Sequence, residues 1–298
     1  MKSCAKPIST ITKHTLKTDN MEVNTAFKEY QERLMIILRF FDKLCRDNGI
    51  NYTVLDGTLL GTVRHKGMIP WDGDVDVAVT PAELKKLIEV FDKYDGRYYL
   101  NCVPNHYYRS NKRRHDFPTL TAKIIDKKCS SGIFGIDVFT IDFLGDDYEF
   151  AKKTIALYKR YFKYASLTTS FHIPEGPMTL KKFLAIVLYP LLWPLAKVTT
   201  PFFERSFIKF REKRIDNNSE DCKYFTIQPY LNRFGIEENT FLKDGYVDMP
   251  FGDIQVKVAK NYDAYLVPTY GDYMKLPPEE KRVPYPSMDI LTNCIFED

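Results

Sequence analysis

Residues 56–77 read DGTLLGTVRHKGMIPWDGDVDV. The prediction of the fold rests mainly on this stretch. A short strand over residues 52–55 enters the Gly57-Thr58 turn, and a short helix follows. Glycine lets a backbone come close to a ligand, the free N–H groups at a helix start attract anions, and Thr58 adds a hydroxyl. Arg64, near the end of the same helix, can complete an anion site with its planar guanidinium. The stretch therefore predicts a phosphate-binding turn, and the lack of a GxxxxGK[ST] motif excludes a P-loop NTPase.

A pair of acids lies at the start of the next predicted strand, which covers residues 75–79. Asp74 and Asp76 flank Val75, and the two-residue period of a strand points both carboxylates to one face. Two adjacent carboxylates repel each other, which favours a bound divalent cation, and ligation by oxygen alone suits Mg²⁺ or Mn²⁺. The structural alternative is an edge strand with solvated acids opposite core valines. The glycine turn and the arginine upstream favour the metal site.

Other acids extend this predicted site. Asp72 is a further candidate oxygen ligand, and Asp137, in GIDVF, offers the carboxylate from a neighbouring strand that a phosphoryl-transfer site usually includes, with Asp142 as the fallback. His65 is interpreted as part of the helix surface and Trp71 as a packing anchor for the strand.

The flanking sequence predicts an α+β fold. Apolar residues recur every three or four positions from 23 to 44, which is typical of an amphipathic helix, and Asn48-Gly49 ends it. Thr80 and Glu83 form a capping box that starts another helix. Further strands are predicted at 98–103, 120–125, 133–141 and around 256–258, with a mainly helical region at 147–215 and a short helix followed by an ordered loop within 261–282.

Composition places the chain among folded proteins. Its 298 residues are 44% hydrophobic and 28% charged, which excludes whole-chain disorder and collagen-like structure. The net charge of +4 calls for no dedicated nucleic-acid partner. One basic cluster over residues 109–114 is either a solvated loop or a contact for phosphate or an anionic surface. The 20 Tyr and 21 Phe residues can line a pocket or lie at a lipid boundary.

One apolar run raises a question about membranes. Residues 183–196 read FLAIVLYPLLWPLA, which is shorter than the ~20 residues that span a bilayer, and Pro190 and Pro194 interrupt it. Two hypotheses remain open for residues 183–203: a buried core helix, or a segment lying in the membrane interface.

The termini and cysteines favour a reducing compartment. The first 25 residues are polar and lack a signal peptide, so a cytoplasmic protein is expected, with peripheral contact with the inner face of an anionic membrane if residues 183–203 are interfacial. Six dispersed cysteines are predicted to be free thiols. A zinc site is the minor alternative for four residues whose spacing fits no zinc knuckle: Cys102, His106, His115 and Cys129.

The sequence resembles the LicD family of phosphotransferases, which lies in the nucleotidyltransferase superfamily and is related to fukutin-related protein. The resemblance rests on three blocks: residues 56–77, GIDVFTID at 135–142, and YGDYMKLPPEEKR at 270–282. Gly73 replaces an acid found in many members, but Asp72, Asp74 and Asp76 keep the DxDxD spacing. The resemblance implies a nucleotidyltransferase-like mixed sheet flanked by helices, with a helical insertion and a C-terminal segment that packs back on the core.

The resemblance also implies a reaction. A metal held by Asp74, Asp76 and Asp137 would bridge the diphosphate of a CDP-linked donor, and Gly57, Thr58 and Arg64 would hold its phosphates. Lys123 is either a phosphate partner or a surface lysine. Asp137 would also orient or deprotonate the acceptor hydroxyl. Three residues near the C-terminus could close over the donor: Tyr270, Asp272 and Arg282.

The expected function is transfer of a phospho-alcohol, such as phosphocholine, to a glycan or glycolipid precursor, as in lipopolysaccharide or teichoic acid biosynthesis. A nucleotidyltransferase acting on a small molecule or RNA end, and a non-catalytic binding module, are the competing hypotheses. The expected organisation is a disordered tail, a catalytic core, a helical insertion and a C-terminal segment completing the catalytic domain, at 1–20, 21–145, 146–218 and 219–298.

Overall fold

A computed structural model describes most of the chain. The described residues are 20–101, 122–129, 134–169, 179, 183, 187, 202, 205–207, 209–228 and 237–284. The predicted tail, the basic cluster at 109–114, three of the four residues of the zinc alternative and most of the apolar run lie outside these residues. Within the described residues, no helix is both long enough and apolar enough to cross a bilayer.

The described residues form two compact units. The first takes the chain up to Asn101, then Ala122–Thr140, and then the chain from Thr240 onward. The second includes Ile141–Asn239. The elements are mixed helices and strands, which confirms the predicted α+β class.

The first long helix, α1, covers Asn20–Asp47. Its predicted apolar stripe is buried, with Leu34, Ile37 and Phe41 almost inaccessible to solvent. Gly49 ends the helix with a φ of +61°, a left-handed conformation that glycine adopts without a steric penalty. The predicted helix and its stop signal are confirmed.

Two shorter helices follow in this unit. Helix α2 covers Asp56–His65, and helix α3 covers Pro81–Lys93. The Thr80 hydroxyl accepts a hydrogen bond from the Glu83 N–H at 3.4 Å, so the predicted N-cap is present.

The central sheet has the strand order β1-β2-β5-β4-β3. Its strands are β1 (Thr53–Val54), β2 (Asp76–Val79), β3 (Tyr98–Asn101), β4 (Ala122–Asp126) and β5 (Gly135–Gly145). Only β2 and β5 run parallel among these neighbours, and the other pairs are antiparallel, so the sheet is mixed as predicted. Three further positions share a row with Asp76: Asp137 on β5, Lys123 on β4 and Asn101 on β3.

The C-terminal part of the first unit packs on this core, as predicted. Strands β8 (Tyr246–Phe251) and β9 (Ile254–Ala259) form a hairpin, and helix α5 covers Asp263–Tyr270. The Gly252 N–H donates to the carbonyl of Lys66 at 2.7 Å, which joins the hairpin turn to the end of α2. The sequence indicated β9 and α5, but it did not predict β8.

The second unit has its own buried centre. It contains helix α4 (Tyr148–Thr169), strands β6 (Tyr224–Gln228) and β7 (Glu237–Glu238), and helical residues at 209–214. Strand β6 pairs with β5 and with β7. Its core side chains are Leu144, Ala151, Ile155, Tyr158, Phe207, Phe210 and Ile215.

Candidate active site

The acids singled out from the sequence lie close together in the first unit. Asp76 begins β2, and the parallel register places it directly opposite Asp137 on β5. Asp72 and Asp74 lie on the segment that leads into β2, and their carboxyl groups share a hydrogen bond. Strand pairing and the segment that leads into β2 therefore bring together acids that are distant in sequence.

Burial and the charges of neighbouring acids raise the pKa values of Asp72, Asp74 and Asp76. Burial raises the pKa of Asp72 to about 8, with the Asp74 charge as the next cause. Burial also raises the pKa of Asp74, although the hydrogen bond with Asp72 opposes that rise. The pKa of Asp76 lies well above its ordinary value because the side chain is buried and the Asp74 charge repels its own. This part of the protein therefore favours protons or bound cations near its carboxylates.

Lys123 brings a positive charge to the same row. Its Nζ lies 3.1 Å from Oδ2 of Asp137, and both side chains are about a quarter exposed, at 26% and 29%. The lysine predicted to meet a phosphate is thus paired with the acid predicted to act as metal ligand and base. Both side chains are exposed enough for a ligand to contact either of them.

The start of α2 is joined to β2 by hydrogen bonds. The Asp76 N–H donates to Oγ1 of Thr58 at 2.9 Å, and the Leu55 N–H donates to the Asp76 carbonyl at 2.9 Å. A Cβ atom on Gly57 would lie 2.1 Å from Oδ2 of Asp72, so glycine here leaves room for that carboxyl group. The space beside the predicted phosphate turn is thus filled by an acid.

Arg64 lies at the other end of α2 and contacts the C-terminal segment. Its Nη1 donates to the carbonyl oxygens of Tyr273 and Lys275, at 2.7 and 3.3 Å. Burial lowers the pKa of Arg64, and burial together with the Arg64 charge lowers the pKa of His65, which favours a neutral imidazole. The His65 ring lies edge-on to Trp71 with 6.0 Å between centroids. Both residues predicted to have packing roles are therefore in contact with each other.

The three residues predicted to close over the donor are on the C-terminal segment beside α2. The Tyr270 hydroxyl lies 3.5 Å from Oδ1 of Asp56. The Arg282 guanidinium lies over the Trp71 ring, 5.8 Å from its centroid. Asp272 is exposed on the turn after α5.

Asp142, the fallback acid, has a different environment. Its carboxylate is fully buried in the second unit and receives two hydrogen bonds from the Arg211 guanidinium, at 2.7 and 3.1 Å, and one from the Tyr158 hydroxyl at 2.9 Å. This carboxylate is committed to a buried ion pair.

Two contributors to the site were missed in the sequence. Asp56 is buried at the first position of α2 and accepts a hydrogen bond from the Tyr265 hydroxyl at 2.7 Å. Gln31 on α1 donates to the carbonyls of Ile69 and Asp72, at 2.9 and 2.7 Å, and so holds the turn that carries Asp72. The acid before the Gly-Thr pair was a visible signal for Asp56, whereas the contact of Gln31 depends on helix packing.

The residue types at this site suit a hard divalent cation. All the candidate ligands are carboxylate oxygens, the donors that Mg²⁺ and Mn²⁺ prefer. Among the described residues, no three His, Cys, Asp or Glu side chains converge on one position that could hold a metal ion. Burial raises the pKa of Asp72, so its carboxyl group favours the protonated form when no cation is bound.

The chain is similar in sequence to known proteins over the residues that carry this site. A family model described as LicD/FKTN/FKRP, nucleotidyltransferase domain, matches residues 49–171, which include the acids of both β2 and β5. Over 263 residues the chain is 24% identical to the lipopolysaccharide cholinephosphotransferase LicD of Haemophilus influenzae, in an alignment that covers 87% of this chain and 95% of that protein.

Two shorter similarities were also found. The chain is 32% identical over 83 residues to mannosyltransferase regulator 4 of Saccharomyces cerevisiae, which covers 25% of this chain and 7% of that protein. It is 36% identical over 53 residues to an uncharacterised protein of Rickettsia prowazekii, which covers 18% of this chain and 20% of that one.

Proposed function

We propose that the chain is a transferase of the LicD family that moves a phospho-alcohol, such as phosphocholine, from a CDP-linked donor to a sugar hydroxyl of a cell-surface glycan or glycolipid precursor, with release of CMP. The observation that carries this proposal is the acidic group formed by Asp72, Asp74, Asp76 and Asp137 within the family domain. Phosphocholine is the first candidate because the H. influenzae relative is a cholinephosphotransferase.

Electrostatics support a requirement for a divalent cation. A donor diphosphate carries negative charge, and the carboxylates around Asp76 would repel it. Lys123 supplies one positive charge beside Asp137, which cannot offset four acids and a diphosphate. Asp74, Asp76 and Asp137 would hold the cation, with Asp72 as a further candidate. When bound there, Mg²⁺ or Mn²⁺ would neutralise the diphosphate and the charge that develops on the departing CMP.

The residues around α2 are proposed to hold the donor. The Thr58 hydroxyl accepts from the Asp76 N–H, and its own hydrogen remains to be donated to a phosphate oxygen. Arg64 donates to carbonyl oxygens and to the His65 ring, and within the described part of the chain it forms no ion pair, so its charge can attract a phosphate. Tyr270, Asp272 and Arg282 are proposed to close over the donor, because their segment already contacts Asp56, Arg64 and Trp71.

Asp137 is proposed to act on the acceptor. The acceptor hydroxyl oxygen forms a bond to the phosphorus of the phospho-alcohol, the bond from that phosphorus to the CMP oxygen breaks, and the hydroxyl proton passes to the Asp137 carboxylate. Lys123 orients this carboxylate through the 3.1 Å contact. The products are the substituted sugar and CMP, so no water is consumed.

The test is an assay of CMP release with a panel of CDP-alcohols, Mg²⁺ and glycan acceptors. We expect CMP from at least one CDP-alcohol, with CDP-choline first, and a loss of activity of at least about a hundredfold in Asp74→Ala/Asp76→Ala because the cation loses two ligands. Asp253→Ala is the matched control, since this acid is exposed and pairs only with Arg39 among the ion pairs of the described residues.

Two outcomes would contradict the proposal. Pyrophosphate release from nucleoside triphosphates would identify a nucleotidyltransferase instead. Full activity or unchanged Mg²⁺-dependent donor binding in the double variant would make the metal assignment wrong. Peripheral membrane contact through residues 183–203 and a cytoplasmic location stay predictions.

A further inference from the structure

The first residue of α2 has a backbone conformation that is rare for a residue with a side chain. Asp56 has a φ of +43°, in the left-handed region that is sterically disfavoured for L-residues other than glycine. Leu55 before it is extended and makes no side-chain capping bond. Strained residues of this kind persist only where the surrounding structure holds them, and they cluster at functional sites.

Two contacts to Asp56 come from the C-terminal helix α5, and the weaker one is from the Tyr270 hydroxyl, 3.5 Å from Oδ1. The Tyr265 hydroxyl donates to Oδ1 of Asp56 at 2.7 Å, across 209 positions of sequence. Both side chains are buried, with exposures of 5% for Asp56 and 4% for Tyr265. The Tyr265 ring packs on Phe241 at 5.4 Å between centroids, and this packing holds the Tyr265 hydroxyl in position.

The residues on either side of Asp56 hold the backbone of Asp76. Leu55 contributes the N–H that donates to the Asp76 carbonyl, and Thr58 contributes the oxygen that accepts from the Asp76 N–H, both at 2.9 Å. Both polar backbone groups of Asp76 therefore depend on the turn that contains Asp56. A change in that turn would move the carboxylate of Asp76 relative to its partner in register, Asp137.

We propose that Asp56 and Tyr265 are a positioning pair: their hydrogen bond keeps Asp56 in its left-handed conformation and thereby sets the position of Asp76. Asp56 acts here through the hydrogen bond and the backbone conformation, whereas Asp74, Asp76 and Asp137 act through their charges. The consequence for catalysis rests on the proposed phosphotransfer function.

Activity of three variants tests the catalytic consequence. Asparagine tolerates the left-handed region and can accept from the Tyr265 hydroxyl, so Asp56→Asn should keep kcat within about threefold of the unmodified protein. Asp56→Ala and Tyr265→Phe should each lower kcat by roughly ten- to a hundredfold, because misplacement of a catalytic group by about 1 Å has an effect of that size. Combining Asp56→Ala with Tyr265→Phe should cost little more than either change alone. If Asp56→Asn loses as much activity as Asp56→Ala, the side chain acts through its charge and the proposal is overturned.

Amide hydrogen exchange tests the positional link without any substrate. In Tyr265→Phe we expect exchange in the peptide containing Asp76 to be at least about tenfold faster, because the Thr58 hydroxyl that protects its N–H loses its fixed position. Tyr273→Phe is the matched control, since the Tyr273 hydroxyl donates to Asp263 within the same C-terminal segment. Exchange at Asp76 should be unchanged there.

The two readouts separate failure of the inference from failure of the proposed function. Unchanged exchange at Asp76 in Tyr265→Phe would overturn the positioning pair, whatever the activity. Faster exchange in a protein that releases no CMP from any CDP-alcohol would support the pair and reject the phosphotransfer. If Tyr265→Phe does not fold, as judged by circular dichroism, the comparison of Asp56→Asn with Asp56→Ala decides by the same two measurements.

Discussion

At the scale of single residues, the carboxyl of Asp72 is held in an environment that favours its protonated form. Burial is the main cause of the raised pKa, and the charge of Asp74 is the next. Gly57 permits this placement, because a Cβ atom there would lie 2.1 Å from Oδ2 of Asp72. The Asp72 carboxyl group therefore favours the protonated form below about pH 8 when no cation is bound.

This pKa predicts how stability depends on pH. The pKa of Asp72 is about 8 in the folded protein, compared with an ordinary value of 3.8, so the folded state binds more protons than the unfolded state between these values. The contribution of Asp72 to the free energy of unfolding is complete below pH 4 and is lost as pH rises toward 8. The free energy of unfolding changes by up to about 1.4 kcal/mol per pH unit over this range. We expect the metal-free protein to gain stability toward urea as pH falls from 8 to 6.

The control for this prediction is Asp72→Asn, which should remove that part of the pH dependence. Saturating Mg²⁺ should weaken the dependence in the unmodified protein, because the cation replaces the proton. If the unmodified protein and Asp72→Asn showed the same change in stability between pH 8 and pH 6, the assignment of this pH dependence to Asp72 would be contradicted.

At the scale of secondary-structure elements, the close approach of β4 and β5 supports the placement of Lys123 beside Asp137. The antiparallel register pairs these two residues directly. Gly135 begins β5, and a Cβ atom there would lie only 1.8 Å from the carbonyl oxygen of Ile124 on β4. Because this neighbour is backbone, it cannot rotate away, so the strand pairing requires glycine at this position.

Gly135→Ala should therefore separate the strands. We expect a loss of unfolding free energy of about 1–3 kcal/mol or more, measured by urea denaturation, and weaker coupling between Lys123 and Asp137. Gly67→Ala is the matched control, since its Cβ atom would meet backbone only at 3.5 Å, an ordinary contact. Equal losses in the two variants would show that the approach at Gly135 is not limiting.

At the scale of the whole molecule, buried polar contacts join segments that are distant in sequence. The pair of Asp142 and Arg211 is 69 positions apart and lies in the second unit, with side-chain exposures of 0% and 9%. Burial raises the pKa of Asp142, while the Arg211 charge opposes that rise. The attraction between the two charges thus offsets the desolvation free energy of burying them, which would be uncompensated for either residue without its partner.

Removal of one member should be severe. We expect Arg211→Ala to lower the unfolding free energy by about 3–5 kcal/mol at neutral pH, because Asp142 is left buried without its cation. The loss should be smaller at lower pH, where Asp142 can protonate. The measurement is urea denaturation followed by circular dichroism.

Arg214→Ala provides the comparison for Arg211→Ala. The Arg214 guanidinium lies over the Phe150 ring at 4.6 Å and contacts the Thr154 hydroxyl, and we expect a loss of only about 1 kcal/mol. Similar losses in the two variants would mean that Asp142 does not depend on its buried partner.

Features that depend on neighbouring residues could be predicted from the sequence alone. The stripe of α1 and the cap at Thr80 follow from helical periodicity and local hydrogen bonding, and both are present. The nominated acids could be found because their strands and turns have short-range signals. Strand β8 was missed, since its exposed and half-buried residues give no clear alternation of apolar and polar positions.

Which of these residues contact each other depends on the three-dimensional fold. Register placed Asp76 opposite Asp137 and Lys123 beside Asp137, and packing brought Tyr265 to Asp56. These contacts join segments up to 209 positions apart, and their geometry depends on strand pairing and side-chain packing that no local pattern encodes. The chemistry of the site could therefore be predicted from residue types, whereas its arrangement and its supports came from the fold.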